Sequence, residues 1–530
     1  MKVLHLSKSD FAGGAAIAAY RIHCGHLAAR LDSRMLVMDK ISQDATVISV
    51  QTTPETATAA EWDVQHFLQS VYVDGHRKPF SDTLYSLNLL AHAVAHLPEV
   101  READILHLHW TAGFVGVREI GRLLQLGKPV VWTLHDQWAF TEGCHYDFAA
   151  GGYFPADYQN ASTQLLADPL QLAARIQAYK RALFDQPNLF LASPSRWMAD
   201  CAQASLIFQN RECRVIHSSC DATIFRPASK EESRKALGLQ LDEFLILFSG
   251  ASGREKRKGL ENVIPVVEQV WKEFPEKKIS LVSVGHSQPL LDQVAFPVRH
   301  LGNLSDAEAM SRVYNACDLM LHPSLEDNFP NSIIEAQLCR LHTIAYAVGG
   351  VPEIISDGRN GHLVPRGDRE SLLEKTRAFV TAETLLVEKD DSHWLANDYL
   401  PGTSGAGYHE YYSSFLARAT ALKNSTDIDD PLTEWTSDPL LALAARKFTE
   451  LHRTHGELSI LHNELTQKAE EQIQKLAALR RNLQNNRTKL EQTQRNLDKV
   501  SAKLAKTRPQ PRKERKGFFS KLASRFLGSS

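Results

Sequence analysis

The sequence predicts an α/β protein built as two doubly wound, Rossmann-like lobes, followed by a C-terminal coiled coil and a short amphipathic helix. Three observations carry this reading. Short apolar runs alternate with longer helical stretches through most of the chain, the pattern of strand–helix–strand units. That alternation stops after Ala421, and a seven-residue repeat begins at Phe448. Charge divides near the same place: from Arg446 onward there are 20 Lys+Arg against 8 Asp+Glu, and before it 40 against 54.

The strands come first. One set is expected over Lys2–Leu6, Arg34–Met38, Asp104–Leu108, Pro129–Leu134 and Asn188–Ser193. A second covers Phe244–Ser249, Lys278–Val284, Asp318–His322 and Thr343–Ala347. Many of these runs are continuously apolar, as strands buried on both faces of a parallel sheet should be. Helices are expected between them, among others over Val117–Leu126, Pro169–Leu183, Leu260–Phe274 and Asp306–Asn315. The sets meet around Phe225-Arg226-Pro227. This gives a first lobe over 1–225 and a second over 226–423. A polar linker follows over 424–445, then a coiled coil over 446–507 and a basic tail over 508–530.

Composition narrows the class. The chain has 530 residues, 43% apolar and 23% charged, with Gly and Pro near background. Collagen-like and wholly disordered classes are excluded. The formal net charge of −2 conceals the acidic body and basic tail, an asymmetry that calls for an anionic partner. Seven cysteines with no CxxC pair suit buried thiols in a reducing cytosol, not a disulfide scaffold or a zinc site. The N-terminus reads as a strand and not a signal peptide. No apolar run reaches the roughly 18 residues of a spanning helix. A cytoplasmic protein, at most peripheral on a membrane, is expected.

In doubly wound sheets ligands bind beyond the carboxyl ends of strands. Four such ends carry polar or glycine-rich groups. Ser9 through Ala16 contains Gly13-Gly14 and opens into an Ala-rich helix, so backbone N–H groups can approach an anion there. Thr133-Leu134-His135 ends another strand and offers either a ligand contact or a capping histidine. His107 and His109 share one strand face; a metal pair needs a third ligand at suitable spacing, and the non-metal reading is preferred. Gly250 through Gly259 holds Gly253, Arg254, Lys256, Arg257 and Lys258 between a buried strand and a helix. Cations and glycines so placed can hold a diphosphate; a solvated basic turn is the alternative. His322 through Ala336 includes Glu326, Asp327, Asn328, Phe329 and Glu335. Carboxylates there can accept from sugar or ribose hydroxyls, or simply complement a helix N-terminus. Glu335 stands within an apolar helix face and resists the second explanation.

Together these motifs resemble retaining glycosyltransferases of the GT-B fold, family 4, over about Met1 to Leu422. The resemblance rests on Gly13-Gly14, Thr133-x-His135, Arg254 with Lys258-Gly259, the acidic pair Asp327 and Glu335, Gly349-Gly350-Val351-Pro352-Glu353-Ile354-Ile355, and Gly361-His362-Leu363-Val364. The segment Trp132–Tyr146 is similar to a subset acting on bacterial surface polysaccharides. Two departures stand out. The first acidic position is Asp327 with Glu326 beside it, where the family usually has Glu. Val215 through Asp221 lacks the family's Pro-Asn-Gly.

The resemblance implies a role for each residue. A nucleotide-diphosphate sugar would lie on the second lobe, its diphosphate against Arg254 and Lys258, with Gly253 close by. Glu335 would hold the ribose. Asp327, or Glu326, would contact sugar hydroxyls beside Asn328 and Phe329. His135 and the Gly13-Gly14 amides would reach across from the first lobe. Front-face attack, with the donor phosphate accepting the proton, needs neither a metal nor another cofactor.

The tail is argued separately. Phe448, His455, His462, Ala469, Leu476, Leu483, Leu490, Leu497 and Leu504 fall in one heptad register, and Leu451, Leu458, Leu465, Gln472, Leu479, Asn486, Thr493 and Val500 in the other. This predicts a homo-oligomeric coiled coil; a long helix packed on the body is the alternative. Pro509 and Pro511 end it. Beyond them Phe518, Leu522 and Phe526 stack at helical spacing with Phe519, while Lys516, Lys521 and Arg525 supply charge. Such a segment suits an anionic membrane interface. No groove-reading module accompanies the charge, so nucleic acid is not the expected partner. The expected function is sugar transfer to a lipid-linked bacterial surface glycan. The alternative is an inactive transferase fold that organises a membrane assembly through its coiled coil.

Overall fold

The computed structural model describes residues 1–50, 54–74, 84–146, 171–209, 211–250, 256–286, 289–304, 306–381, 399–419, 442–447 and 449–450. Beyond these it describes only single positions and short stretches between 453 and 501. Residues 1–449 form one compact unit and 450–530 another.

The first unit contains two wholly parallel sheets. β1 (Lys2–Ser9), β2 (Asp32–Asp39), β3 (Val47–Ser49), β4 (Ile105–Leu108), β5 (Val130–Thr133), β6 (Leu189–Ser193) and β7 (Cys213–Val215) lie in the order β3-β2-β1-β4-β5-β6-β7. β8 (Phe244–Ser249), β9 (Ile279–Val284), β10 (Val298–His300), β11 (Leu319–His322), β12 (Thr343–Tyr346) and β13 (Gly361–Val364) follow in the order β10-β9-β8-β11-β12-β13. Helices form the crossovers, as parallel pairing requires. Every residue of β5, β9, β11 and β12 is buried, which explains why these mostly apolar runs show no exposed polar face.

All nine strands expected from sequence are present. The four that sequence does not announce are β3, β7, β10 and β13, and each is the outermost strand of its sheet. They are three or four residues long and carry too little apolar pattern to stand out.

One boundary changes. The helix Pro401–Ala419, assigned above to the second lobe, packs on the first. Its Tyr408, Tyr412 and Phe415 share a buried cluster with Val3, Ile22, Ile105 and Val131. Gly405 and Gly25 allow the contact: a Cβ on Gly405 would stand 2.6 Å from the Gly25 carbonyl oxygen. Residues 442–447, placed in the linker and the start of the coiled coil, are helical, and Ala445 is buried in the first-lobe core.

The described positions of the second unit, such as Thr493 and Val500, are helical and exposed. Most of the heptad positions, and Lys516, Phe518, Phe519, Lys521, Leu522, Arg525 and Phe526, lie outside the described residues. No helix among the described residues is long and apolar enough to cross a membrane.

Candidate functional site

The cleft between the lobes is built from strand ends. On the second lobe β8 leads toward a short helical turn, Lys256–Lys258, and β11 leads into Pro323–Pro330 and the helix Asn331–Leu338. These loops touch because Gly259 has φ 77° and no side chain; a Cβ there would fall 2.0 Å from the Pro323 carbonyl oxygen. Gly349 serves the other side in the same way, its missing Cβ leaving room for the Asp327 carbonyl.

That approach assembles a charged group. Lys258 Nζ donates to Asp327 Oδ2 at 2.6 Å, His322 Nε2 is 3.4 Å from the same oxygen, and Arg257 is 3.8 Å from it. Burial opposes ionisation of Asp327, but Lys258, His322 and Arg257 outweigh it and hold the carboxyl well below the usual range. Burial likewise pushes the His322 pKa down, with Asp327 partly offsetting it. Glu326 is buried, and its carbonyl accepts from Arg257 Nη1 at 2.6 Å. Gly253 and Arg254 lie outside the described residues.

Glu335 is held on both oxygens. Oε1 accepts from Arg21 Nη2 of the first lobe at 2.5 Å, and Oε2 from the Tyr314 hydroxyl at 2.8 Å. Asn328 is an interlobe clamp: its Nδ2 donates to the carbonyls of Leu134 and His135, and its Oδ1 accepts from Ser195 Oγ at 2.6 Å. Phe329 is buried and stacks on His217 with ring centroids 5.0 Å apart. Asn331 Nδ2 donates to the Gly14 carbonyl at 3.0 Å. Gly13 has φ 92° and precedes the first helix, Gly14–Ala28.

Two interlobe contacts escape a reading of sequence alone. Glu353, in the Gly-Gly-x-Pro-Glu run, accepts from the backbone N–H groups of Arg196 and Trp197 at 2.8 and 3.0 Å. A carboxylate thus sits at the N-terminus of a first-lobe helix, where the dipole favours it. Arg257 lies over the Tyr146 ring, 4.2 Å from its centroid. Arg21 and Tyr314 were equally silent, because nothing local to either marks a partner in another element.

The first lobe meets the cleft with His135 and the segment after it. Asp136 accepts from Trp110 Nε1 at 2.8 Å and lies 2.6 Å from His145 Nδ1. Burial opposes its ionisation, and His145 with the other donors keeps its pKa low. His135 Nε2 is 3.1 Å from His109 Nδ1. Behind it stand His5, His26 and His107, all buried. The sequence reading found no third histidine for His107 and His109. β1 supplies one, since His5 pairs in register with His107, and ring nitrogens of His5, His107 and His109 lie within 4.8 Å of one another.

Residues 243–381 match the family described as glycosyl transferases group 1. Among curated relatives, the D-inositol 3-phosphate glycosyltransferase of Rhodococcus erythropolis is 27% identical over 301 residues, covering 54% of this chain and 62% of the relative. The Mycobacterium ulcerans protein of that name is 31% identical over 160 residues, 29% of this chain and 34% of its own. The chain thus spans less than two thirds of these relatives' length. Among solved structures, sucrose-phosphate synthase from Thermosynechococcus elongatus gives a TM-score of 0.53 at 18% identity, covering 79% of this chain and all of that one. Anabaena HepE in complex with UDP and glucose gives 0.53 at 17% identity, over 78% of this chain and all of that one. These neighbours share a GT-B fold with this chain, and the stretch similar to group 1 glycosyl transferases falls in the second lobe.

Proposed function

We propose that this group 1 glycosyltransferase domain, set in a GT-B fold, transfers a sugar with retention from a nucleotide-diphosphate sugar. The observation that carries the reading is the Lys258–Asp327 pair, held in the segments after two strands and next to Asn328, whose amide donates to the His135 carbonyl of the other lobe. A diphosphate arriving at the 256–258 turn meets ammonium and guanidinium groups that can offset charge developing on the leaving group. Asp327, kept ionised, is available to accept from a sugar hydroxyl. Ribose binding at Glu335 requires that its carboxylate exchange the Arg21 or Tyr314 contact for a ribose hydroxyl. Closure of the lobes through Asn328, Glu353 and Arg257 limits water at the reacting carbon. Gly253, Arg254 and the Gly13-Gly14 amides complete the donor site on this reading.

The acceptor proposed is a lipid-linked bacterial surface glycan at the cytoplasmic face of the membrane. The Trp132–Tyr146 segment and the basic, aromatic tail support it. The relatives' name makes an inositol phosphate the competing acceptor. The test is nucleotide release from a panel of nucleotide sugars, with each acceptor class supplied, for the wild type and Lys258→Ala. Donor-dependent release that Lys258→Ala abolishes is expected; no release with any pair favours an inactive scaffold. Anionic liposomes should sediment the full chain and not one ending at Thr507. Equal sedimentation would sink the membrane role.

A further inference from the structure

A row of imidazoles runs from the cleft into the first-lobe core. His135 Nε2 is 3.1 Å from His109 Nδ1. His109 Nε2 is 2.8 Å from His5 Nδ1, and His5 Nε2 is 3.0 Å from His26 Nδ1. Four rings from two elements and two strand-end loops are thus joined by three hydrogen bonds. Burial pushes all four down, His135 to about 4, His26 to about 3, and His5 and His109 well below the ordinary value. Each ring is therefore neutral near pH 7 and carries one N–H.

That count restricts the protons. Three shared bonds among four one-proton rings must run head to tail, so the row has two polarities. Either every N–H points toward the cleft, or every one points away. The ends decide between them. His26 Nε2 is buried and has no hydrogen-bond partner among the described residues. His135 is half-buried at the lobe interface, and no described protein group bonds its Nδ1. Outward polarity leaves a lone pair bare at His26 and offers the last N–H to the cleft. Inward polarity leaves a bare N–H in the core, which is the costlier orphan. An isolated imidazole prefers its proton on Nε2, so the outward row, all Nδ1–H, has a distinctive signature.

We propose that His26, His5 and His109 form a one-way chain that locks His135 in the Nδ1–H tautomer. The cleft then meets a fixed hydrogen-bond donor there and not a base. His109 is the positioning residue in contact with His135. The closed inner end at His26 makes the row a lock and not a proton conduit. The inference rests on the proposed function only in taking His135 to face the substrate. That donor would meet a substrate oxygen and leave proton acceptance to the substrates themselves.

A metal ion is the rival occupant of this cluster. Both nitrogens of His5, His107 and His109 already take part in hydrogen bonds, with His107 between Thr133 Oγ1 and the Tyr412 hydroxyl at 2.7 Å each. An ion would have to break several of them.

The test is long-range proton–nitrogen NMR on ¹⁵N-histidine-labelled full-length protein at pH 7 without ligand. His135 is identified by the signals missing in His135→Gln. Its Nδ1 is expected at the protonated position and its Nε2 at the bare one. The reverse pattern would overturn the proposal. In His109→Phe the His135 signals should move to the Nε2–H pattern, and His109→Gln, whose amide can still donate, should restore them. An unchanged His135 in His109→Phe, or loss of the pattern in both variants alike, also counts against the chain. So does one equivalent of a transition metal retained after dialysis against chelator. UDP is then titrated into the same sample. Failure of UDP to bind would strike the proposed donor site while the tautomer, read without ligand, stands on its own.

Discussion

The two lobes bring opposite chemistry to one cleft. The second lobe presents ions: Lys258, Arg257, Asp327 and Glu335, each balanced by a partner of opposite sign. Apart from Arg21, which pairs with Glu335, and the ionised Asp136, the first presents neutral groups: His135 on its imidazole row and backbone carbonyls of Leu134 and His135 that accept from Asn328. The difference teaches how each side is held. Ion pairs fix the second-lobe groups through charge, whereas the first-lobe face depends on rings that burial keeps uncharged.

Acid separates the two sides most strongly. His5, His26, His107, His109 and His135 all have lowered folded pKa values. Below the unfolded value near 6.5 the unfolded chain binds protons that the folded lobe refuses. Stability therefore falls as pH drops. Each ring kept neutral costs on the order of 1 kcal/mol between pH 7 and 5.5, so the five together weigh several kcal/mol against the folded lobe. Asp327 has a lowered carboxyl pKa, so its contribution is intact over that window and fades only below the unfolded value near 3.9. His322 and His342 of the second lobe act in the same direction as the five, with fewer groups. Denaturant melts at pH 7 and 5.5 should show this drop, with loss of Trp132 and Trp138 burial before second-lobe protection in hydrogen exchange. Equal loss in both lobes would break the comparison.

The next effect lies in the ionic side. Lys258→Ala should lower turnover by about 10²–10³-fold, the scale for removing one group that stabilises a leaving charge. It also leaves Asp327 buried beside one fewer cation, so the second lobe should lose about 3 kcal/mol. Rate and urea midpoint measured together check both. A smaller effect is expected where the sides touch. Glu353→Gln weakens a charged cap on the first-lobe helix Arg196–Ala204 and should cost about 1 kcal/mol. If donor binding depends on closure, KM for the donor should rise by a factor of about 5 while kcat changes less.

Sequence made the second lobe's site more legible than the first's. Lys258, Asp327 and Glu335 follow strand ends in a recognisable order, and charge at a strand end is unusual enough to notice. Their partners were not legible. His322 ends a strand like any other, Arg21 lies in an Ala-rich helix, and Tyr314 sits in a helix of its own. Each acquires meaning only when distant elements close. Asn328 shows a second kind of gap, since nothing in the sequence announces that its amide spans the lobes. The histidines show the same limit. Same-face spacing ties His107 to His109, but His5 joins them through β1–β4 pairing and His26 through a helix crossing beneath. The fold itself was readable wherever strands were buried on both faces. It faded at β3, β7, β10 and β13, where half-covered edges need no apolar run.

The return of Pro401–Ala419 to the first lobe has a mechanical consequence. The backbone passes between lobes once near Phe225 and again before Pro401, so the lobes share a two-ply strap. Two tethers resist swivelling and leave a rocking motion as the soft one. Ala445 is also seated in the first-lobe core. The first lobe thus holds both the start and the end of the 1–449 unit, and the lobe carrying Lys258 and Asp327 is in effect an insertion between them.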